Sequence, residues 1–182
     1  MAMVDGSSML SSVTQSLPGV ETLLNASVSL AGLVLTGMAV LKFIEIGRHG
    51  DTPGGTHWMT PIMYLLAATA LWNFSSSVDS MLETFFGAST SSSNLLSYNA
   101  SSSTLPSQTQ AMVSALIMLL RLYGYVTYAR GWLTVKKIGS NQNGSDEPFK
   151  TAMIRLIAGV ALINIVGTVD AISTTFGFGN VL

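Results

Sequence analysis

Few residues in this chain have both the type and the spacing that catalysis or metal binding requires. His49 and His57 flank Asp51, but a zinc site needs about four well-placed donors. Gly54 and Gly55 favour a flexible loop and lack the Lys-Ser/Thr of a phosphate-binding loop. The sequence contains no cysteine, which excludes thiol catalysis and Cys-ligated metal. We therefore predict no catalytic residue, no metal, no cofactor and a protein that is not an enzyme.

Arg121 lies well inside a long apolar stretch. In a bilayer, an unpaired charge at that depth would cost at least about 2.5 kcal/mol. We predict that Arg121 has a partner, and three are open: a carboxylate, a polar lumen or a phospholipid headgroup. A shift of the stretch that brings Arg121 near the outer surface would also relieve the cost.

Two asparagines and two aspartates recur at matching places in the chain. For Asn73 and Asn164 we predict hydrogen bonds between packed helices, with a substrate or ion path as the alternative. We expect Asp79 and Asp170 at the outer membrane interface, where a solvated or helix-capping carboxylate is ordinary. The alternative is that these aspartates line a path through the membrane.

These four residues belong to an internal repeat. Residues 60–87 return 91 positions later as residues 151–178, and ten of the 28 positions are identical. A repeat of this kind indicates duplication of a structural unit. The identical pairs are Thr60/Thr151, Leu65/Leu156, Ala67/Ala158, Ala70/Ala161, Leu71/Leu162, Asn73/Asn164, Val78/Val169, Asp79/Asp170, Thr84/Thr175 and Phe85/Phe176.

Composition indicates that the repeated unit lies in a membrane. Charged residues make up 9% of the 182-residue chain, against roughly 25% in soluble globular proteins. The net charge of −1 gives no reason to expect nucleic-acid binding.

Four apolar stretches are long enough to cross a bilayer, which takes roughly 20 residues. The predicted spans are 23–46, 61–78, 111–135 and 152–169. We predict an all-α membrane protein with four transmembrane helices, arranged as two tandem hairpins of the same orientation. The first helix is expected to begin at Ser16 or at the Leu17-Pro18 step, because proline favours a first turn. The predicted segments are a polar lead (1–22), a first hairpin (23–86), a Ser-rich extracytoplasmic linker (87–110) and a second hairpin with a short tail (111–182).

Small residues follow one face of the first span at helical spacing. They are Ser29, Gly32, Thr36 and Ala39. Such a stripe lets helices approach closely in lipid, so we predict a packing interface there.

Basic residues predict the orientation, because Lys and Arg stay on the cytoplasmic side. They cluster at the two short loops within the hairpins, at Lys42, Arg48, Arg130, Lys136, Lys137, Lys150 and Arg155. Both termini and the Ser-rich linker are then expected on the outer side.

Three short motifs resemble a known family. Residues 16–21 (SLPGVE), 128–132 (YARGW) and 164–168 (NIVGT) are similar to IcmC/DotE-type proteins, small inner-membrane components of the Dot/Icm type IVB secretion system. TraQ-like counterparts belong to IncI-type conjugation systems. The resemblance covers most of the chain and is weakest in the Ser-rich linker. It implies a bacterial inner membrane, both termini periplasmic, and an apparatus that moves DNA or protein.

Three functions follow as hypotheses. The first is a non-enzymatic membrane subunit of a type IVB secretion or conjugative transfer apparatus, a homo-oligomer that also contacts other proteins of that apparatus. The second is a pilin-like subunit of an extracellular conjugative filament with bound lipid. The third is a small transporter or channel, against which we count the absence of helix-breaking residues in the second and fourth spans.

Overall fold

The structure, a computed structural model, describes residues 6–50, 57–87, 107–139 and 147–177. These residues form six helices and no strand, which confirms the all-α prediction for the described part of the chain. The helices are α1 (Gly6–His49), α2 (Met59–Trp72), α3 (Phe74–Phe86), α4 (Ser107–Val135), α5 (Glu147–Ile163) and α6 (Ile165–Thr175). Residues 88–106 of the Ser-rich linker lie outside the described residues, and α4 begins at Ser107, within the segment predicted as linker.

Within the described ranges, two helices are long and apolar enough to cross a membrane. They are the Gly19–Arg48 part of α1 and the Met112–Val135 part of α4. A third candidate exists if α5 and α6 are counted as one bent span. These apolar helices indicate a membrane protein, as the composition predicts.

The first helix is longer than expected. It begins at Gly6, so the predicted start at Ser16 or the Leu17-Pro18 step is wrong. Pro18 lies inside the helix, since the preference of proline for a first turn does not exclude an interior position.

The two asparagines of the repeat end helices. Asn73 separates α2 from α3 with φ −102° and ψ 56°, and Asn164 separates α5 from α6 with φ −109° and ψ 58°. The chain turns by 95° between α5 and α6. The predicted continuous helices to Val78 and Val169 are therefore wrong. The second and fourth apolar stretches do contain interruptions, and they fall at corresponding places.

The helices pair in the order of the chain. α1 packs mainly against α2, and α4 packs mainly against α5. We call α1–α3 the first unit and α4–α6 the second unit. The two units meet where α4 packs against α1 and α2, and the buried core runs through this contact.

A glycine marks the closest approach in each pair. A Cβ atom on Gly32 of α1 would lie 2.7 Å from the backbone nitrogen of Trp72 and 3.0 Å from the carbonyl oxygen of Ala68. A Cβ atom on Gly124 of α4 would lie 2.8 Å from the nitrogen of Ile163 and 3.0 Å from the oxygen of Gly159. Ile163 and Gly159 are the repeat partners of Trp72 and Ala68, 91 positions on. Gly32 and Gly124 therefore occupy equivalent positions.

This equivalence aligns α1 with α4 at a separation of 92 residues and extends the repeat over the whole unit. The separation falls to 91 after the loop because the first loop is one residue longer. Seven pairs are identical between 24 and 47: Leu24/Leu116, Leu30/Leu122, Gly32/Gly124, Val34/Val126, Leu41/Leu133, Ile46/Ile138 and Gly47/Gly139.

The crossing at Gly32 generates a stability prediction. Gly32→Leu would drive side-chain atoms into the backbone of α2. We expect the free energy of unfolding to fall by about 1–3 kcal/mol, which is the typical cost of overpacking. Gly19→Leu is the matched control, because nothing lies within 4 Å of a Cβ atom there. Thermal unfolding in detergent measures both, and equal midpoints for the two variants would contradict the crossing.

Candidate functional site

The asparagine breaks are built from backbone hydrogen bonds with one side-chain contribution. The backbone nitrogen of Asn73 still donates to Thr69, and that of Asn164 donates to Val160. The Oδ1 atom of Asn164 also accepts a hydrogen bond from the nitrogen of Gly167 (3.3 Å) and so caps α6. Asn73 makes no side-chain cap bond. The asparagines end the helices, and Asp79 and Asp170 lie inside α3 and α6, so the capping role predicted for the aspartates is wrong.

The predicted small-residue stripe divides into two parts. Gly32 and Ala39 are buried against the rest of the chain, and the Ser29 hydroxyl donates a long hydrogen bond to the Trp72 carbonyl (3.4 Å). Thr36 is exposed, and its hydroxyl bonds to the Gly32 carbonyl of its own helix (3.0 Å). The α1–α2 contact thus uses three of the four residues.

Aromatic residues fill the contact between the two units. Phe74 of α3 packs against Tyr125 and Tyr128 of α4, with ring centroids 6.1 Å and 5.8 Å apart. The Tyr128 and Ser77 hydroxyls lie 2.7 Å apart, and Tyr128 also donates to the Ser77 carbonyl (3.1 Å). Both tyrosines are fully buried, so this contact joins the two units through matched apolar and polar groups.

At the other end of the inter-unit contact, one hydroxyl bonds to a carbonyl and the two backbones approach closely. The Thr60 hydroxyl at the start of α2 donates to the carbonyl of Gly139, just after α4. A Cβ atom on Gly139 would lie 2.6 Å from the Thr60 Cα and from the Met59 carbonyl oxygen. Only glycine leaves room for this approach.

Arg121 is buried, with 8% of its surface exposed. The Tyr125 hydroxyl, one helical turn away, lies in the electrostatic field of Arg121, Glu21 and Asp79. These carboxylates come from α1 and α3. Burial leaves little of the guanidinium for a lipid headgroup, and a carboxylate partner for Arg121 stays a prediction.

The repeat partner of Asp79 has different surroundings. The Oδ1 atom of Asp170 is buried and has no hydrogen-bond partner among the described residues. The two aspartates are equivalent in sequence and in helix position, and Asp79 acts electrostatically on Tyr125 of α4.

The arrangement is one of packing and charge pairing. Across the described ranges, no three His, Cys, Asp or Glu residues are grouped to hold a metal. Asp51, Gly54 and Gly55 lie outside those ranges.

Sequence reasoning missed six residues of the inter-unit contact: Thr60, Phe74, Ser77, Tyr125, Tyr128 and Gly139. One signal was present, because Thr60 and the Gly139/Gly47 pair recur in the repeat. The tyrosines have no counterpart in α1 that would single them out.

A double-mutant cycle tests the charge neighbourhood. Arg121→Met and Asp79→Asn should each destabilise the fold, because each leaves an opposite charge poorly compensated away from water. Together they should cost less than the sum, with a coupling of at least about 0.5 kcal/mol. Denaturant unfolding in detergent gives the four free energies. A second cycle with Asp170→Asn in place of Asp79→Asn is the control. If the free-energy losses of Arg121→Met and Asp79→Asn simply add in the double variant, the coupling is refuted.

Comparison with known proteins adds nothing to the three sequence motifs as evidence of a family. The chain matches no protein-family model, no curated protein and no solved structure.

Proposed function

We propose that this protein is a non-enzymatic membrane subunit of a type IVB secretion or conjugative transfer apparatus, and that it acts by helix–helix assembly. The observation that carries the assembly role is the exposure of its longest helix. Only 17% of the residues in the apolar window of α1 are buried within the chain. The choice of apparatus rests on the three motifs that resemble IcmC/DotE-type and TraQ-like proteins.

The polar groups of the described helices support an assembly role. The Thr60, Ser77, Tyr128 and Arg155 side chains bond to other helices or loops of the same chain. In lipid, such bonds together with close backbone contacts hold helices together. Side chains used in this way fix one packing arrangement and favour a scaffold over a catalyst.

We further propose four membrane passes with both termini on the periplasmic side of the inner membrane. α2 and α5 have 14 and 17 residues, so they extend about 21 and 25 Å at 1.5 Å per residue. A hydrocarbon core of about 30 Å is slightly thicker than this. The bends at Asn73 and Asn164 would then turn α3 and α6 into the outer interface, where Asp79 and Asp170 meet water.

A transporter or channel is the second candidate, and one observation favours it. The helix breaks at Asn73 and Asn164 fall at corresponding places in a repeat, which is where many transporters bind substrate. The Asn164 side chain caps α6, and this supports a structural use of that break. Asn73→Ala with Asn164→Ala should leave solute and proton flux unchanged under the assembly proposal, and loss of flux would select the transporter.

The topology prediction uses the absence of natural cysteines. Ser92→Cys, in the linker outside the described residues, should react with a membrane-impermeant thiol reagent in intact cells. Ser145→Cys, in the loop before α5 and also outside them, should react only after the membrane is permeabilised. The reverse pattern would contradict the proposed orientation.

The apparatus prediction uses deletion of the gene. We expect DNA or protein transfer to be lost from the deleted cells and restored by the intact chain, because an assembly subunit is needed for the complex to form. Transfer frequency is the measurement. Unchanged transfer would contradict the proposal, and recovery of this chain as the bulk protein of sheared filaments would select the filament subunit instead.

A further inference from the structure

One face of the first unit is covered by α4, and its residues follow a spacing of three or four. Thr60, Ala67, Leu71, Phe74 and Val78 on this face are buried, and Met63 and Met81 are half-buried. We call these seven residues the covered face.

The same face in the second unit is open. Its counterparts Thr151, Ala158, Leu162, Ile165 and Val169 are only half-buried. Ile154 and Ile172, the counterparts of the two methionines, are 57% and 53% exposed. We call these seven residues the open face.

The difference does not come from looser packing within the second unit. Ala68 and its counterpart Gly159 are both buried, as are Pro61 and its counterpart Ala152. Ala68 and Gly159 contact the long helix of their own unit, so those contacts are equally close in both. What the open face lacks is a second long helix in the position that α4 occupies in the first unit. Neither α5 nor α6 packs against α1 to a comparable extent over the described residues.

The first unit carries a long helix whose matching side is free. Tyr125 and Tyr128 of α4 meet the covered face, and Ala129 and Trp132 follow them on the same side of the helix, four residues on. Three of the four are buried, and Trp132 is half-buried. Their counterparts on α1, at the separation of 92, are Leu33, Thr36, Gly37 and Val40. All four are exposed, and Leu33 and Val40 are each 50% exposed. We call these four residues the free side of α1.

The backbone contact at the end of the inter-unit interface also has an unused copy. Gly139 must be glycine because Thr60 and Met59 approach it. Gly47, its counterpart at the end of α1, has nothing within 4 Å of a Cβ position. The counterpart of Thr60 is Thr151, which is half-buried. Among the described residues of one chain, no neighbour makes a glycine necessary at position 47.

We propose that copies of this chain associate head to tail, with the free side of α1 of one copy seated on the open face of the next. α1 would then take the place against α5 and α6 that α4 takes against α2 and α3. Gly47 would accept the Thr151 hydroxyl at its carbonyl, as Gly139 accepts Thr60.

This inference deepens the assembly role proposed above and rests on it. The interface joins two different surfaces, so each copy keeps one of each for a further neighbour. Such an interface produces a closed ring or an open filament, depending on the rotation between copies.

Cysteine cross-linking tests the contact in membranes of cells that lack all other transfer proteins. Thr36→Cys and Thr168→Cys change the counterparts of Tyr128 and Ser77, which meet across the inter-unit contact. The full-length double variant, treated with a bifunctional thiol reagent about as long as a tyrosine side chain, should give a ladder of dimers, trimers and larger species. Ser77→Cys with Tyr128→Cys, treated in the same way, should cross-link within one chain, which verifies the fold. Ser27→Cys with Thr168→Cys should stay monomeric, because Ser27 and its counterpart Leu119 are both exposed.

A steric pair in the same double-cysteine background adds a second readout. Gly37→Trp should abolish the ladder, because the counterpart Ala129 is buried in the inter-unit contact. Met38→Trp should preserve it, because the adjacent Met38 and its counterpart Arg130 are both exposed.

Four outcomes would overturn the proposal. The first is monomers only, which would mean that lipid covers both surfaces, and the second is dimers from Thr36→Cys alone, which require a symmetric interface. The third is a cross-link between the two cysteines of one chain, and the fourth is a ladder that survives Gly37→Trp. The cross-linking uses cells without transfer proteins, so its result is independent of the deletion experiment. If the ladder is missing but deletion of the gene still abolishes transfer, the proposed function stands and the interface is refuted. A ladder together with unchanged transfer after deletion would refute the function and keep the interface.

Discussion

Close backbone contact at Gly32 and Gly124 is the constraint on which the rest of the structure depends. In lipid there is no hydrophobic driving force between apolar side chains, so helices in a membrane associate through van der Waals contact and hydrogen bonds. A glycine at the crossing brings the two backbones together and fixes the register of the pair. The same crossing occurs twice, at equivalent partners, and it makes the chain a tandem repeat of one helical unit.

The helical class and the two long helices could be predicted from composition and from the length of the apolar stretches. Gly32 and Ala39 followed from the spacing of small residues. The helix breaks did not follow, because hydropathy carries no information about backbone dihedral angles. An asparagine side chain competes for nearby backbone groups, and its recurrence at one repeat position was the available signal.

The alignment of α1 with α4 required the structure, because the sequences of the two helices have diverged where their surroundings differ. Leu33 and Thr36 are exposed, whereas their counterparts Tyr125 and Tyr128 are buried between the units. Arg121 shows the same limit. Its position in an apolar stretch called for a partner, but the neighbouring carboxylates come from two other helices, and only the fold brings them to one place. Divergence within the repeat therefore reports which surfaces one chain covers and which it leaves exposed.

Electron cryo-microscopy of the full-length protein, purified from membranes in lipid nanodiscs, tests the account most directly. The account predicts a repeating array in which each copy contributes two similar units, with α1 of one copy lying against α5 and α6 of the next. Single copies with lipid on both surfaces would contradict it, and so would units whose long helices cross at different points.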